Sequence, residues 1–600
     1  MCIRDSGSLN IQKTSGNASI TDGNSMYSLE GAEFTVYDSI GAAVATLTTD
    51  ASGATGTVEL PLGTYTVRET KAPEGYLTAA DQTVVINSGS TATLTFADTP
   101  ANDPVAMLVG KYDGDSTYTE IEGNMPQGSA SLEGAEFTVE YYATLDYDNY
   151  DALKDAGMEP TRSWVFSTDS DGCAYFGEKY LVSGDAFYYD SFGAATMPRG
   201  TVVVYESKAP EGYNLNTDVS FQKIQEDWTS GVVTYNTVNV PETVARGGVV
   251  VQKLDFETGK VPQGGADLSG ITFSIINDSK SAVVVDGTEY QPGQVVKTIT
   301  TDESGYAATA DDALPYGDYI IRETSTNEFY LNTSEDIHVT ISENGAIYDF
   351  TATDDIVRGG VEVYKSDFES GLSTPLGAAS IDGTTFEVKS LNDNPAIVDG
   401  VTYGKGDVVA TLVIEDGHAS TSSDSFPAGT YSLQEVKAGE GYNLTDGTAY
   451  EFTISEDGAI VNPVTGEVVR NQVKRSDLEF SKKADDTADR LAGVAFKVTS
   501  LTTGESHIIV TDENGYFSSA SSWNAHTQNT NGNDWALDAE GTIDSSQLDV
   551  TAGVWFGLTA EGSMTDPDNS LGALPYDTYA IEELRCTANE GYQLLSLIHI

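Results

Sequence analysis

At five places in this 600-residue chain a lysine stands where a strand pattern calls for an apolar side chain. Strand side chains alternate with period two. Leu9, Ile11 and Lys13 therefore share one face, as do Met107, Val109 and Lys111; Val249, Val251 and Lys253; Val361, Val363 and Lys365; and Leu478, Phe480 and Lys482. A later strand does the same with a glutamate. Tyr65 and Val67 precede Glu69, Val202 and Val204 precede Glu206, Tyr319 and Ile321 precede Glu323, Tyr431 and Leu433 precede Glu435, and Tyr579 and Ile581 precede Glu583. In a closing strand the inward register ends on an acid or an amide: Leu94 and Phe96 lead to Asp98, Tyr235 and Thr237 to Asn239, Phe350 and Ala352 to Asp354, and Val469 to Asn471. One such residue alone would be a frayed strand end. Recurrence in register argues for burial instead, and a buried charge is rare unless it is paired or chemically neutralised. An amine, an acid and a carbonyl carbon are thus directed at one core in module after module.

The elements that must position them follow from internal repetition. Tyr65-Thr-Val-Arg-Glu-Thr-Lys-Ala-Pro-Glu-Gly-Tyr76 returns as Val204-Tyr-Glu-Ser-Lys-Ala-Pro-Glu-Gly-Tyr213, in decayed form from Tyr319 to Tyr330, again from Tyr431 to Tyr442, and with a two-residue insertion from Tyr579 to Tyr592. Leu29-Glu-Gly-Ala-Glu-Phe-Thr-Val36 recurs before each copy, nearly unchanged from Leu132 to Val139. Five modules are expected, at 7–100, 101–244 with a long insertion, 245–357, 358–474 and 475–595. Within each, short alternating runs rich in Val, Thr, Tyr and Phe are separated by Gly, Asp, Asn and Ser turns. No 3.6-residue period is sustained. The fold class is all-β, a tandem array of β-sandwiches.

Composition narrows the function. Against 92 Asp and Glu stand 30 Lys and Arg, a formal net charge of -62, and such a surface repels phosphate backbones and anionic lipid. Hydrophobic content of 39% with 32 Tyr and 20 Phe is too rich for a disordered acidic chain. Cys2, Cys173 and Cys586 are far apart and offer neither a disulfide framework nor metal-ligand spacing. No cofactor or metal site is indicated. No stretch approaches the roughly 18 apolar residues of a membrane span, and Met1 to Asn10 lacks a secretory core. Met1 to Ser6 and Ser596 to Ile600 resemble translated adaptor sequence, so both ends are expected to be foreign and the fifth module truncated before its closing strand.

The combination resembles the Cna B-type, or SpaA-like, isopeptide-forming domains of Gram-positive pilins and adhesins. The carriers are the lysine after an alternating strand, the glutamate of the Glu-(Thr/Ser)-x-Ala-Pro-x-Gly-Tyr phrase and the closing Asn or Asp. In the fifth module Val494-Ala-Phe496, Ser522 to Asn529 and Leu574 to Tyr579 resemble the longer VaFE-type repeat of surface-anchored proteins. The third module departs at Ser325 to Phe329, where Ala-Pro-x-Gly is lost. The resemblance implies prealbumin-like or immunoglobulin-like sandwiches with intramolecular crosslinks Lys13–Asp98, Lys111–Asn239, Lys253–Asp354 and Lys365–Asn471. Glu69, Glu206, Glu323 and Glu435 would serve as proton donors, with Lys482 and Glu583 the equivalents in the truncated module. Burial disfavours an ammonium and leaves an amine able to attack a carbonyl. A buried glutamate that keeps its proton can polarise that carbonyl and relay protons to the leaving ammonia or water. Each module would react once, on itself, so no enzyme with turnover is implied.

The expected role is a structural stalk at the cell surface, extracellular, joined to peptidoglycan or to pilus subunits through a sorting signal outside this sequence. A second expectation is a ligand-binding adhesin that meets a host glycan or matrix protein through loops of modules two and five, where Tyr141, Tyr142, Tyr147 and Tyr150, and Trp523, Trp535 and Trp555, cluster. The turns Thr49 to Gly53, Thr168 to Gly172, Thr301 to Gly305 and Thr511 to Gly515 resemble calcium loops in composition but lack the full ligand series, and are read as hairpin turns. Glu582 and Glu583 point to opposite faces of a strand, which disfavours a glycosidase pair.

Overall fold

The computed structural model describes residues 5–115, 125–225, 235–444 and 447–600; Met1 to Arg4, and with them Cys2, lie outside it. The chain is nearly all β and folds as tandem prealbumin-like sandwiches. In the first, β1 (Ser6–Ser15) lies between Val58–Pro61, which is antiparallel to it, β2 (Gly63–Lys71) belongs to the second sheet, and β3 (Thr91–Asp98) runs parallel to β1 with Ser15 opposite Asp98. The second sheet orders Ala43–Thr48, Glu33–Tyr37, β2 and Gln82–Ile86. Alternation places Leu9 and Ile11 against Phe34, Val36, Val67 and Phe96 between the sheets.

The plan repeats. In the second module β4 (Met107–Asp113) and β6 (Val238–Glu242) are parallel neighbours and β5 (Gly200–Lys208) lies in the other sheet. In the third, β7 (Arg246–Asp255), β8 (Gly317–Ser325) and β9 (Ile347–Ile356) take the same places. In the fourth they are β10 (Arg358–Asp367), β11 (Gly429–Lys437) and β12 (Val468–Asn471). The fifth keeps β13 (Glu479–Ser481), paired with Tyr516–Ser518, and β14 (Tyr579–Glu583), paired with Ala495–Ser500. Among the described residues no strand runs parallel to β13. Opening and closing strands that are parallel neighbours have their free ends at opposite ends of the module. The chain therefore enters at one end and leaves at the other, which suits an extended array.

The acidic turns carry turn chemistry. Asp50 Oδ1 accepts the amides of Ser52 and Ala54, Asp302 those of Ser304 and Tyr306, and Asp512 those of Asn514 and Tyr516. Among the described residues no cluster of His, Cys, Asp and Glu could hold a metal ion, and no helix is long and apolar enough to cross a membrane.

Successive modules meet at a recurring joint. Arg246 pairs with Asp115, Arg358 with Glu257 and Arg475 with Glu369, at 2.8, 2.7 and 2.7 Å. Beside each pair a glycine in the left-handed region presses on the next module: Gly128 donates its amide to Ala282 and Gly264 to Pro395. A methyl group on Gly264 would lie 2.0 Å from the Ala428 carbonyl oxygen. Gly264→Ala is therefore expected to open the joint between modules three and four, since the partly exposed Arg358–Glu257 pair, at under about 1 kcal/mol, cannot hold it shut. A left-handed alanine alone costs about 1–2 kcal/mol, so limited proteolysis near Val357 should accelerate by roughly 5–30-fold. Cleavage at the wild-type rate would mean that the joint does not depend on this contact.

Candidate functional site

The third module has the most complete cluster. Opposite Lys253 in the β7–β9 ladder is Ala352, and two residues on, opposite Asp255, is Asp354. Both side chains face the core because two residues are one strand period. Glu323 arrives from the facing sheet. Lys253 Nζ lies 2.7 Å from Glu323 Oε2 and 2.8 Å from Asp354 Oδ1, with all three side chains fully buried. The amides of Thr333 and Ser334 donate to Asp354 Oδ1 at 3.0 and 3.1 Å, and the Thr326 hydroxyl donates to Oδ2 at 2.9 Å. Burial raises the Glu323 carboxyl above the usual carboxylate range. Burial acts on Asp354 in the same sense, but hydrogen bonds from Glu323 and Lys253 outweigh it and hold Asp354 below that range. The two directions differ, so Glu323 holds a proton more readily than Asp354. Two carboxyl groups and the lysine nitrogen are in contact in a fully buried cluster.

The first module repeats the arrangement. Lys13 Nζ is 2.5 Å from Glu69 Oε1 and in direct contact with Asp98, between the rings of Phe34 and Phe96 at 5.3 and 5.9 Å. Burial pushes the Asp98 carboxyl up to about 7. In the fourth module Asn471 donates from Nδ2 to Glu435 Oε1 at 2.6 Å, and Lys365 Nζ donates to the Val469 carbonyl at 3.3 Å. Burial lowers the Lys365 ammonium to about 8, against the opposing pull of Glu435 and Asp367. A fraction of this amine is neutral at physiological pH, as a nucleophile requires.

The second module corrects one expectation. Asn239 is exposed and stands opposite Gly110, so it points away from Lys111. The inward residues of β6 are Val240 and Glu242, and Glu242 stands opposite Asp113, two residues beyond Lys111. Lys111 Nζ contacts Glu206 on one side and lies 2.7 Å from Glu242 Oε1 on the other. The register expected through Tyr235 and Thr237 fails because β6 begins only at Val238. In the fifth module Lys482 Nζ is 2.8 Å from Glu583 Oε2, and Glu583 also accepts from Asn589 Nδ2 and the Leu595 amide. Burial raises Glu583, but these donors outweigh it and hold its carboxyl below the ordinary value. Among the described residues no second acid or amide contacts Lys482, and Glu582 faces solvent.

Three stretches, residues 11–100, 248–356 and 376–467, match the family described as the SpaA prealbumin-like fold domain. These stretches are SpaA prealbumin-like domains. Among solved structures the chain is similar to the TIE protein of Bacillus anthracis, at 18% identity and TM-score 0.38 over 79% of this chain and 76% of that one. It is also similar to BcpA, the major pilin subunit of Bacillus cereus, at 17% and 0.24 over 58% and 99%. A third is the shaft pilin SpaA of Lactobacillus rhamnosus GG, at 16% and 0.18 over 42% and 98%. Comparison with curated proteins found no match.

The clusters of the second, third and fourth modules have a second layer that sequence reasoning missed. Asp113, Asp255 and Asp367 each follow their lysine by two residues and are fully buried. Each accepts the hydroxyl of the tyrosine that ends the repeated phrase: Tyr213 at 2.7 Å, Tyr330 at 3.0 Å and Tyr442 at 2.9 Å. Gln127 and Gln263 donate to Asp113 and Asp255, and accept from Val284 and Ile397 of the next module. The lysine ends of the second and third modules are thereby tied to their joints. The available signal was the spacing Lys-x-Asp at 111–113, 253–255 and 365–367.

Most of the aromatic residues flagged as possible ligand contacts pack internally. Tyr141, Tyr142 and Trp555 are buried, and the hydroxyls of Tyr142, Tyr150 and Tyr205 converge on Glu140 at 2.8, 2.9 and 3.1 Å. Tyr147 packs in the same cluster. Trp523 and Trp535 are open to solvent, 44% and 74% exposed.

Proposed function

We propose that this chain is the stalk of a Gram-positive cell-surface protein, a pilin or an anchored adhesin, whose modules stiffen themselves with internal lysine isopeptide bonds. The observation that carries this reading is the buried contact of Lys253 with both Glu323 and Asp354. Two acids and one ammonium in an apolar core are costly to keep as ions, whereas the same groups as amine and carboxylic acid are the reactants for an amide. Held in contact, they gain an effective molarity that a bimolecular reaction lacks. Attack of Nζ on the carboxyl carbon releases one water in the first and third modules, and attack on the Asn471 amide releases one ammonia in the fourth. Glu69, Glu323 and Glu435 carry the protons. Among the described residues the fifth module holds Lys482 and Glu583 without a third partner, and it is expected to stay open.

Intact-protein mass spectrometry tests this. Modules one, three and four together should lower the mass by two waters and one ammonia, and Glu435→Ala should remove the ammonia loss while leaving the water losses. A mass equal to the sequence mass would defeat the self-crosslinking reading. A second reading, ligand binding by the fifth module, is favoured by the exposure of Trp535. Quenching of tryptophan fluorescence by a glycan or matrix protein, lost in Trp535→Ala, would support it.

A further inference from the structure

We infer that the second module closes through a crosslink of a different chemistry, a γ-glutamyl amide between Lys111 Nζ and Glu242 Cδ. The inference rests on the self-crosslinking reading and extends it to an acceptor residue that neither the Asn/Asp pattern nor the matched family segments contain. Glu242 occupies the acceptor register: its ladder partner Asp113 is two residues past the lysine, just as Asp98 faces Ser15, Asp354 faces Asp255 and Asn471 faces Asp367. The extra methylene of glutamate does not prevent contact, since Oε1 lies 2.7 Å from Lys111 Nζ with both side chains fully buried.

The surroundings favour reaction over a lasting ion pair. Apart from its contact with Lys111, Glu242 receives no hydrogen bond at either oxygen among the described residues. A buried carboxylate is normally fully hydrogen-bonded, so this one is poorly kept as an ion. Glu206 contacts the same ammonium from the facing sheet and accepts the Asn216 amide at 2.7 Å. Two acids then share one positive charge, and one of them must hold a proton. Burial pushes the Glu242 carboxyl up to about 7, against the pull of Lys111, which gives it the neutral form in part at physiological pH.

The step balances without any further reactant. The Nζ lone pair attacks Cδ of the protonated Glu242 and the C–N bond forms. Glu206 takes a proton from the nitrogen and delivers one to the departing hydroxyl. The C–O bond breaks, and one water leaves. Asn239, exposed on the opposite face of β6, takes no part.

The experiment uses the full chain. Intact mass should show three waters and one ammonia lost in total, and proteolytic peptide mapping should give a branched peptide joining Lys111 to Glu242. Glu242→Gln, which keeps the shape, should convert one water loss into an ammonia loss, and Lys111→Arg should remove the third water alone. Two waters and one ammonia in the wild type, with no branched peptide from this module, would overturn the γ-glutamyl bond while leaving the other crosslinks standing. A second ammonia loss with a branch at Asn239 would overturn it equally. A mass without any loss would overturn it together with the reading on which it rests.

Discussion

Glu323→Ala is expected to lower the unfolding temperature of the third module by on the order of 20 °C or more, while the transitions of the other modules stay in place. If Glu323 is the proton relay proposed above, the variant leaves Lys253 and Asp354 in contact but without the amide. The segment released from the covalent tie runs from 253 to 354, and 354 − 253 gives 101 residues. A crosslink closing a loop of about 100 residues removes roughly 4–5 kcal/mol of chain entropy from the unfolded state in the disulfide analogy. For a domain of about 100 residues each kcal/mol moves the midpoint by about 4–8 °C. The Lys253–Asp354 pair left behind is charge-balanced, so the variant keeps its fold and the comparison is clean. Differential scanning calorimetry on the full chain measures this, with Asp355→Ala, one residue away but exposed, as a control expected to leave the midpoint unchanged. If Glu323→Ala also left every midpoint in place, no covalent tie would exist in this module.

The second large effect is mechanical. The opening and closing strands of each complete module are parallel neighbours, and the reactive pair lies toward their C-terminal ends. With the proposed amide in place, tension would enter along the opening strand, cross the amide, and leave toward the next module. The residues between the bonded pair would carry none of it. Asn471→Ala breaks this path in the fourth module. The segment from 365 to 471 spans 471 − 365 = 106 residues, which at about 3.4 Å per extended residue adds roughly 350 Å of contour length when the module unfolds. Single-molecule stretching of this variant should show one new step of that size that the wild type lacks at any force below covalent rupture. A wild type that already yields that step would refute the load-bypass role of the bond.

Strand alternation is local. It depends on neighbouring residues alone, and so the inward lysines at 13, 111, 253, 365 and 482 and the glutamates that meet them were legible from the residues themselves, as was the all-β class. The modular plan was legible because each repeat restates the same core pattern. The partner of each lysine was a different matter, because it depends on how a strand more than a hundred residues later aligns with the first. In the first, third and fourth modules that strand has little freedom: Asp98, Asp354 and Asn471 end the inward runs at Phe96, Ala352 and Val469. In the second, Tyr235 is buried but the strand begins only at Val238 with Val240 and Glu242 inward, so an alternation read from Tyr235 and Thr237 arrives one residue out of phase. Only the ladder register, with Glu242 opposite Asp113, places Glu242 and not Asn239 beside Lys111. The same holds for the Asp–Tyr–Gln links to the joint and for the glycine contacts between modules. Their meaning comes from surfaces brought together after each sandwich has formed, and no local pattern of side chains encodes which surfaces those are.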